Sequence, residues 1–328
     1  MSFWRSFFVP PKQVPDSKLI ISDIVTDESC PKKLNNGYSW VEHVLFDDWK
    51  NLIKNNYGIN KSCLVVYSDQ ALLYWYNLDS TVFIGISYDG KLIGAISGNI
   101  KTIWIDSVPF RGFNIDFLCV AFEHRGKKMA GYMIEEITRY AKNNGIWLGL
   151  HTSTKKCTDN VSQSKSYFTS CLTPVPKKNL HKKIRLIQVD SITDMITSTD
   201  ISNNWLVEDI HLPDSSGYPD VCFYKIMYDN TLNGHVATIP FTVNRRGSKT
   251  KVLYVYIIKT NFLKEVLYHL KNIGWERGHD QVNVISGKHQ SFGSHWKPLG
   301  GTSWLHLYNW SKQDINKKNA NDSVFWTY

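Results

Sequence analysis

The order of structure-forming runs in this 328-residue chain repeats, and that repetition is the strongest constraint on its fold. Val82 to Ser87 is rich in β-formers, Tyr88-Asp89-Gly90-Lys91 supplies an Asp-Gly turn, and Lys91 to Ser97 returns as the second strand of a hairpin. Ile100 to Asp106 and Phe113 to Val120 read as two more strands. Met129, Met133, Ile137 and Tyr140 form an apolar stripe at helical spacing, which predicts a helix from about Met129 to Asn143 with Gly145 as its C-terminal cap. Ile146 to Thr152 follows as a strand. From Val221 the order returns: a strand to Tyr228, a loop Asp229 to Gly234, strands His235 to Val243 and Val252 to Lys259, a helix Asn261 to Ile273 capped by Gly274, and a strand Gln281 to Ile285. Gly287 to Trp296 reads as a helix, and Ser303 to Trp310 as a closing strand. Antiparallel strands that lead into a helix, twice over, predict an α/β protein with a mixed sheet and two related halves. The polar stretch Ser191 to Asn204 separates them, so the halves are residues 1–190 and 191–328.

Composition bounds the chemistry. With 42% apolar and 20% charged residues, a sizeable core is available and wholesale disorder is excluded. The 12 Trp, 17 Tyr and 15 Phe suit either a large apolar ligand or an aromatic core. The net charge of +9 favours anionic partners such as nucleic acid, an acidic membrane or a phosphate-rich cofactor. The cations are dispersed, however; the densest runs, Lys177-Lys178 with Lys182-Lys183 and Lys317-Lys318, do not resemble a nucleic-acid arm. Six cysteines without a C-x-x-C spacing argue against a zinc site and a disulfide scaffold, and for a reducing compartment. No apolar run approaches the ~20 residues of a membrane span, and Arg5 and Pro10-Pro11 break the apolar start. The expectation is a soluble, monomeric, cytoplasmic protein with no metal, no nucleic-acid partner and no membrane span.

Phe113 to Ala130 carries the strongest local signal. A strand ends in Phe117-Leu118-Cys119-Val120, and Arg125-Gly126-Lys127-Lys128-Met129-Ala130 opens the helix. Basic residues and a glycine at a helix N-terminus make an anion site, because free N–H groups and the positive dipole end point outward. With its preceding strand this segment resembles the pyrophosphate loop of the GNAT acyltransferase superfamily, R/Q-x-x-G-x-G/A.

Collinear matches along the chain narrow that likeness. They include Phe3-Trp4 with Val9-Pro10, Gly37-Tyr38-Ser39-Trp40, Asn56-Tyr57, Tyr67-Ser68 with Leu72-Leu73-Tyr74-Trp75, and Leu92 to Ser97. Phe117 to Val120, Arg125 to Ala130, Glu136 to Arg139, Thr238-Ile239-Pro240 and Leu307 to Trp310 continue the series. Together they resemble the N-myristoyltransferase (glycylpeptide N-tetradecanoyltransferase) family over nearly the full length, as a compact, divergent member. That family's fold is two GNAT-like halves, which agrees with the repeat. The resemblance implies transfer of myristate from myristoyl-CoA to the N-terminal glycine of peptides or proteins, with a lysine near the N-terminus as a secondary acceptor.

It also implies site residues. Myristoyl-CoA falls to Ser2, Phe3 and Trp4, to Phe117, Leu118, Cys119 and Val120, and to Arg125, Gly126, Lys127, Lys128, Met129 and Ala130. Amides of Phe117 and Leu118 form the oxyanion hole, where the thioester oxygen gains charge. Peptide contacts fall to Tyr67, Thr152, Tyr256, Gly300 and Thr302, with Thr152 beside the nucleophile. Plain packing is the competing account of Phe117 to Val120, Met129 and Met133; Cys119 reads as a packed hydrophobe, and His151, His289 and His295 as ordinary.

The departures concern the peptide side. The family's E-I-N before F-L-C-V is Asn114-Ile115-Asp116 here, and its H-K after it is Ala121-Phe122. Its acidic run after N-Y is Gly58-Ile59-Asn60-Lys61, and the acid of its G-D-G aligns with Thr302. A preference for lysine downstream of the acceptor glycine is therefore expected to be absent. Two rival functions stand beside transfer of myristate: a catalytically weak acyl-CoA or peptide-binding module, and a GNAT-type enzyme using another acyl-CoA or amine.

The chain's last residues follow a polar arm, Ser311 to Asp322, with Val324-Phe325-Trp326-Thr327-Tyr328. Three aromatics there predict a tail that folds back and draws its terminal carboxylate inward. In the family the C-terminal carboxylate is the base, which assigns that role to Tyr328; burial raises an α-carboxyl above its usual ~3.5. A C-terminal tag, or loss of the last few residues, is expected to lower kcat by ~10²–10⁴ while acyl-CoA affinity stays. Parallel kcat and Kd measurements on tagged and untagged protein check this.

Overall fold

The computed structural model describes residues 12–13, 20–21, 31–35, 37–78, 80–105, 108–153, 162–172, 180–190, 206–208, 217–286 and 296–308. In chain order its elements are β1 (Lys12–Gln13), β2 (Ile20–Ile21), β3 (Tyr38–Val41), α1 (Phe46–Asn56), β4 (Gly58–Asn60), β5 (Cys63–Tyr67), α2 (Asp69–Tyr76), β6 (Thr81–Tyr88), β7 (Lys91–Ile105), β8 (Val108–Val120), α3 (Met129–Asn143) and β9 (Leu148–Ser153). They continue as β10 (Ser162–Leu172), β11 (Ile184–Val189), β12 (Leu206–Glu208), β13 (Cys222–Tyr228), β14 (Thr231–Arg245), β15 (Ser248–Lys259), α4 (Leu263–Glu276), β16 (Gln281–Ser286) and β17 (Trp296–Tyr308).

One mixed sheet runs β11-β13-β14-β15-β16-β10-β17-β9-β8-β7-β6-β3, with β5 added to β14 and β12 to β7. The repeat is visible in its pairing. β6, β7 and β8 are antiparallel and lead through α3 into β9, which is parallel to β8. β13, β14 and β15 do the same through α4 into β16. The centre is an exchange: β10 pairs with β16, β17 pairs with β9, and β10 and β17 pair with each other. β10 and β11 precede residue 190 yet pair with β13, β16 and β17, which ties residues 162–189 to the strands of the second half. The Ser191 to Asn204 connection and the Gly287 to His295 part of the expected helix lie outside the described residues.

α3 forms where its stripe predicts, burying Met129, Met133, Ile134, Ile137 and Ala141 against β6, β7 and β8. It ends in a Schellman cap: Gly145 (φ +68°) donates to Lys142 O at 2.9 Å and Ile146 to Ala141 O at 2.8 Å. α4 differs from expectation by running through Gly274, which is buried, to Glu276. Gly278 (φ +71°) takes the left-handed position instead, with His279 donating to Gly274 O at 2.8 Å.

Two other differences follow from packing. Lys91 to Ser97 and the described part of the second run, Ile100 to Ile105, are one strand, β7, rather than two. Gly98 and Asn99 make no turn there; both stay in register with β6 and β8. Gly98 is required by close approach, since a Cβ would meet the Phe113 ring at 2.5 Å. The expected Asp229 to Gly234 loop is a two-residue turn, because Asp229 and Asn230 both adopt positive φ (49° and 67°), which these short polar side chains tolerate.

Two cores result. The larger lies under α1, α2 and α3 and includes Trp49, Leu72, Ile86, Met133 and Phe113, together with Phe223 and Ile239 from the second half. The smaller lies under α4, around Leu253, Val266, Leu270 and Val284. Among the described residues no helix is long and apolar enough to cross a membrane. Trp49 is fully buried and meets Phe46, Tyr76, Phe83 and Phe117 edge-on or tilted. Trp49→Ala is expected to cost about 3–5 kcal/mol, whereas Trp275→Ala, at a residue 48% exposed, should cost clearly less, because only part of its surface leaves water on folding. Urea unfolding of both variants checks the contrast.

Candidate active site

The site is built where β8 breaks its own regularity. Ala95 pairs with Cys119 and Ser97 with Asp116, so Ile96 alone faces both Phe117 and Leu118. This is a β-bulge, and Phe117 sits in it with φ +49°. A left-handed conformation costs a residue other than glycine roughly 1–2 kcal/mol, and such strain concentrates at functional positions. Burial holds it in place. The Phe117 ring meets Trp49 and Trp75 at 5.3 Å, Tyr57 at 5.7 Å and Tyr67 at 5.9 Å, centroid to centroid. On its other edge β8 pairs with β9 only as far as Ile115, opposite His151. Beyond that point the two strands part, and Asp116 to Val120 face a gap on that side. β15 repeats the device: Tyr256 is the extra residue between Val255 and Ile257, just past the last β15–β16 pair, Val255 with Val284.

The gap is a cavity of about 340 Å³. Ile115, Asp116, Phe117 and Leu118 of β8 line one wall and His151, Thr152 and Ser153 of β9 another; Tyr57, Tyr67, Ile96 and Ile134 complete it. Leu118 is 37% exposed, while Cys119 and Val120 are buried. Burial pushes the Cys119 thiol up to about 12, which suits a packing residue and not a nucleophile. Burial likewise drives both phenols upward, with the Asp116 carboxylate adding to it, so Tyr57 and Tyr67 stay protonated. Thr152 is held by its register with Leu305 of β17. Beside it His151 stacks on His306 at 4.7 Å, and His306 Nε2 lies 2.8 Å from Ser153 Oγ. Asp116 and His151 are cavity residues that the sequence did not assign to the site: His151 read as ordinary, and the one signal for Asp116 was that it stands where the family motif reads differently.

The basic loop follows β8 through a short turn, Phe122–His124. Gly126 has φ +78° with open space around its Cα, and Lys128 (φ +64°) precedes α3 without a side-chain cap. The first N–H groups of α3 are thus uncapped by a side chain, the arrangement that receives anions. Lys127 and Lys128 are exposed. Arg125 is committed elsewhere: its guanidinium donates to Val120 O (3.1 Å), Gly58 O (3.1 Å), Ile59 O (3.1 Å) and Asn56 O (2.7 Å) and lies 4.0 Å over the Phe122 ring. It ties the α1–β4 turn to the loop. Met129 is buried and Ala130 half-buried, so they serve the loop through their main chain. Lys61, unpaired by any acid in its own sequence neighbourhood, pairs with Glu123 at 2.5 Å, which balances its charge.

Ser2, Phe3, Trp4 and Tyr328 lie outside the described residues. For Tyr256, Gly300 and Thr302 only the main chain is described; Thr302 pairs with Tyr167, three residues along β17 from Leu305.

Residues 20–164 match the family described as Myristoyl-CoA:protein N-myristoyltransferase, N-terminal domain. The glycylpeptide N-tetradecanoyltransferase of Ajellomyces capsulatus is 28% identical over 147 residues, 41% of this chain and 27% of that protein. That of Dictyostelium discoideum is 26% identical over 130 residues, 40% of this chain and 30% of that protein. The chain thus matches less than a third of the length of these relatives. In structure it is similar to Saccharomyces cerevisiae N-myristoyltransferase with bound myristoyl-CoA, at TM-score 0.76 and 16% identity, over 98% of this chain and 94% of that one. A GCN5-related N-acetyltransferase from Anabaena variabilis follows at TM-score 0.51 and 13% identity, over 82% and 72%. At these identities the two structures establish the fold.

His151 makes the site's electrostatics measurable. Burial, and then the neighbouring His306, lower its pKa from the usual ~6.5 to about 3. Between those values the unfolded chain binds a proton that the folded chain does not. The stability present above pH ~6.5 therefore falls as pH drops toward 3, by up to ~1.4 kcal/mol per pH unit from this group. His151→Gln is expected to flatten stability against pH in that window. His124, His269 and His279, depressed in the same sense, are common to both proteins. Denaturant midpoints of both proteins from pH 7 to pH 4 check this, and parallel curves contradict it.

Proposed function

Because the chain belongs to the N-myristoyltransferase family, we propose that it transfers myristate from myristoyl-CoA to the N-terminal glycine amine of peptides or proteins. The observation that carries this reading is the bulge at Phe117 and Leu118, which sits where β8 leaves β9 and within one loop of an uncapped helix N-terminus. In this reading the anion and thioester sites fall at the two ends of one short segment.

The donor's phosphates fall to the first N–H groups of α3, with Gly126 allowing close approach and Lys127 and Lys128 adding charge. Arg125 acts through the loop it fixes. The pantetheine arm then runs back along Cys119 and Val120, and Ser2, Phe3 and Trp4 complete the donor site in this reading. The thioester oxygen meets the amides of Phe117 and Leu118, whose ladder the bulge disrupts. The acceptor amine occupies the cavity beside Thr152 and Tyr67, with Tyr256, Gly300 and Thr302 along the peptide. The amine loses its proton to the α-carboxylate of Tyr328, its nitrogen bonds to the acyl carbon, the C–S bond breaks and CoA leaves as the thiol. Cytoplasmic location and a monomeric state complete the proposal.

Replacing Lys127 and Lys128 together with Ala is expected to raise the Kd for myristoyl-CoA about tenfold at low salt, and less at high salt where screening removes the same attraction. Isothermal titration at two ionic strengths reads this out; an unchanged Kd removes the loop from the donor site. Turnover on a panel of glycine-first peptides with acyl-CoAs of several lengths tests the activity itself. Binding of acyl-CoA without transfer to any peptide identifies a binding module, and a preference for a short acyl chain identifies a different acyltransferase.

A further inference from the structure

We propose that two neighbouring turns, Asn60 to Ser62 and Arg245 to Ser248, form a docking surface for an anionic membrane, on which the protein rests without crossing the bilayer.

The turns close two hairpins that lie side by side. β5 pairs with β14 from Tyr67 against Phe241 to Cys63 against Arg245, so the β4–β5 and β14–β15 hairpins end together. The Arg246 N–H donates to Ser62 O at 2.8 Å and joins the two tips. Each tip is also held in itself. Ser62 donates to Asn60 Oδ1 through its N–H at 3.0 Å and its hydroxyl at 2.7 Å, and Arg125 holds the carbonyls of Gly58 and Ile59, each at 3.1 Å. Arg246 and Gly247 take positive φ (51° and 83°), the two-residue turn whose twist suits a hairpin.

The tips are strongly cationic. Arg245, Arg246, Lys249 and Lys251 stand on one and Lys61 on the other, all exposed. Two of these charges are offset: Lys61 pairs with Glu123, and the Asp280 carboxylate accepts the Lys251 N–H at 2.7 Å. Among the described residues no carboxylate pairs with Arg245, Arg246 or Lys249, so three charges face solvent together.

Ile59 decides the kind of anion. It is 80% exposed, next to Asn60 and Lys61 on the same tip. A lone exposed isoleucine elsewhere on the surface would mean nothing; at a tip among cations it is placed to enter an interface. Nucleic acid gains nothing from it, and neither Gly58 to Cys63 nor Asn244 to Lys251 carries an aromatic ring on which a base could stack. A layer of acidic lipid headgroups takes both features. Its surface potential attracts the cations, and its acyl boundary takes the apolar side chain. The proposal does not depend on the transferase reading. Under that reading, a peptide with one acyl chain holds only marginally to a bilayer, and a docked enzyme releases it at the surface.

Sedimentation of the full chain with vesicles, without acyl-CoA or peptide, tests this. The vesicles are phosphatidylcholine alone or an equal mixture with phosphatidylserine, at low and high salt. The protein is expected to partition about tenfold better onto the mixed vesicles at low salt, and less so at high salt. Replacing the three free cations together (Arg245→Gln, Arg246→Asn, Lys249→Gln) is expected to remove that preference; Asn is used at 246 because it tolerates positive φ. Ile59→Ser is expected to weaken binding about threefold while its salt dependence stays. A control removes the same charge at the opposite end of β13 to β15, with Lys182, Lys225 and Lys264 each changed to Gln, all exposed in the native protein, and is expected to bind within about twofold of wild type. If the triple variant loses its fold, as judged by Tm, Arg245→Gln with Lys249→Gln takes its place. Absence of a preference for the mixed vesicles overturns the proposal, as does an equal loss in the control. Unchanged binding of Ile59→Ser, or binding of single-stranded RNA through these turns without vesicle binding, overturns it too. Turnover is measured separately, so a protein that docks and transfers no myristate overturns the proposed activity and leaves the docking surface standing.

Discussion

The site depends on one local contradiction, a strand that must carry an extra residue in a left-handed conformation and yet bury that residue's side chain. Phe117 at φ +49° is unfavourable by itself. Its ring is offset by four aromatic neighbours, Trp49 on α1, Tyr57 after α1, Tyr67 at the end of β5, and Trp75 on α2. The aromatic wealth of the chain is spent as a cage around this ring. Because the cage draws on α1, α2 and β5, the bulge persists only when those elements are docked. The geometry of the bulged segment is therefore a property of the whole N-terminal core.

The exchange of β10 and β17 does a second job for the same site. β9 carries His151, Thr152 and Ser153, and it leaves β8 after Ile115. A strand end that has lost its neighbour on one side would fray if it had none on the other. β17 supplies that neighbour, pairing Trp304 to Tyr308 with Ser153 to Gly149, and locks it with the His151–His306 stack and the Ser153–His306 hydrogen bond. The second half of the chain thus holds the wall of a cavity that the first half opens.

Charge is divided along the same line. Lys127 and Lys128 stand exposed at the start of α3, while the cavity on the other side of Phe117 and Leu118 is lined by Asp116 and neutral groups. Arg125, the third cation of the loop, is held on four carbonyl oxygens and shapes the loop rather than its field. Cationic and anionic side chains thus stand at opposite ends of one strand segment. The overall charge of +9 says nothing of this division; the placement of three or four groups does.

Much of the frame was legible in the residues. The α3 stripe of Met129, Met133, Ile137 and Tyr140, its Gly145 cap and the Asp89-Gly90 turn are each decided within a few residues of chain, by side-chain spacing and by which residues accept positive φ. The repeated order of strands and helices followed from the same local signals, and the collinear motifs pointed to the acyltransferase fold. What the residues alone left undecided was everything that depends on a distant partner. Gly98 reads as a break until the Phe113 ring is seen to need its space, and Gly274 reads as a cap until α4 buries it and Gly278 takes the turn. Arg125 looks like a phosphate ligand until the carbonyls of Asn56, Gly58 and Ile59 claim it. The bulge, the exchange of β10 and β17, and the meeting of Asp116, Tyr57, Tyr67 and Thr152 in one cavity are set by pairing register and burial between segments far apart in the chain. Local propensity reaches over a turn or two, whereas register and burial are settled only when the strands pack, and for that reason the frame was written in the sequence and the site in the tertiary structure.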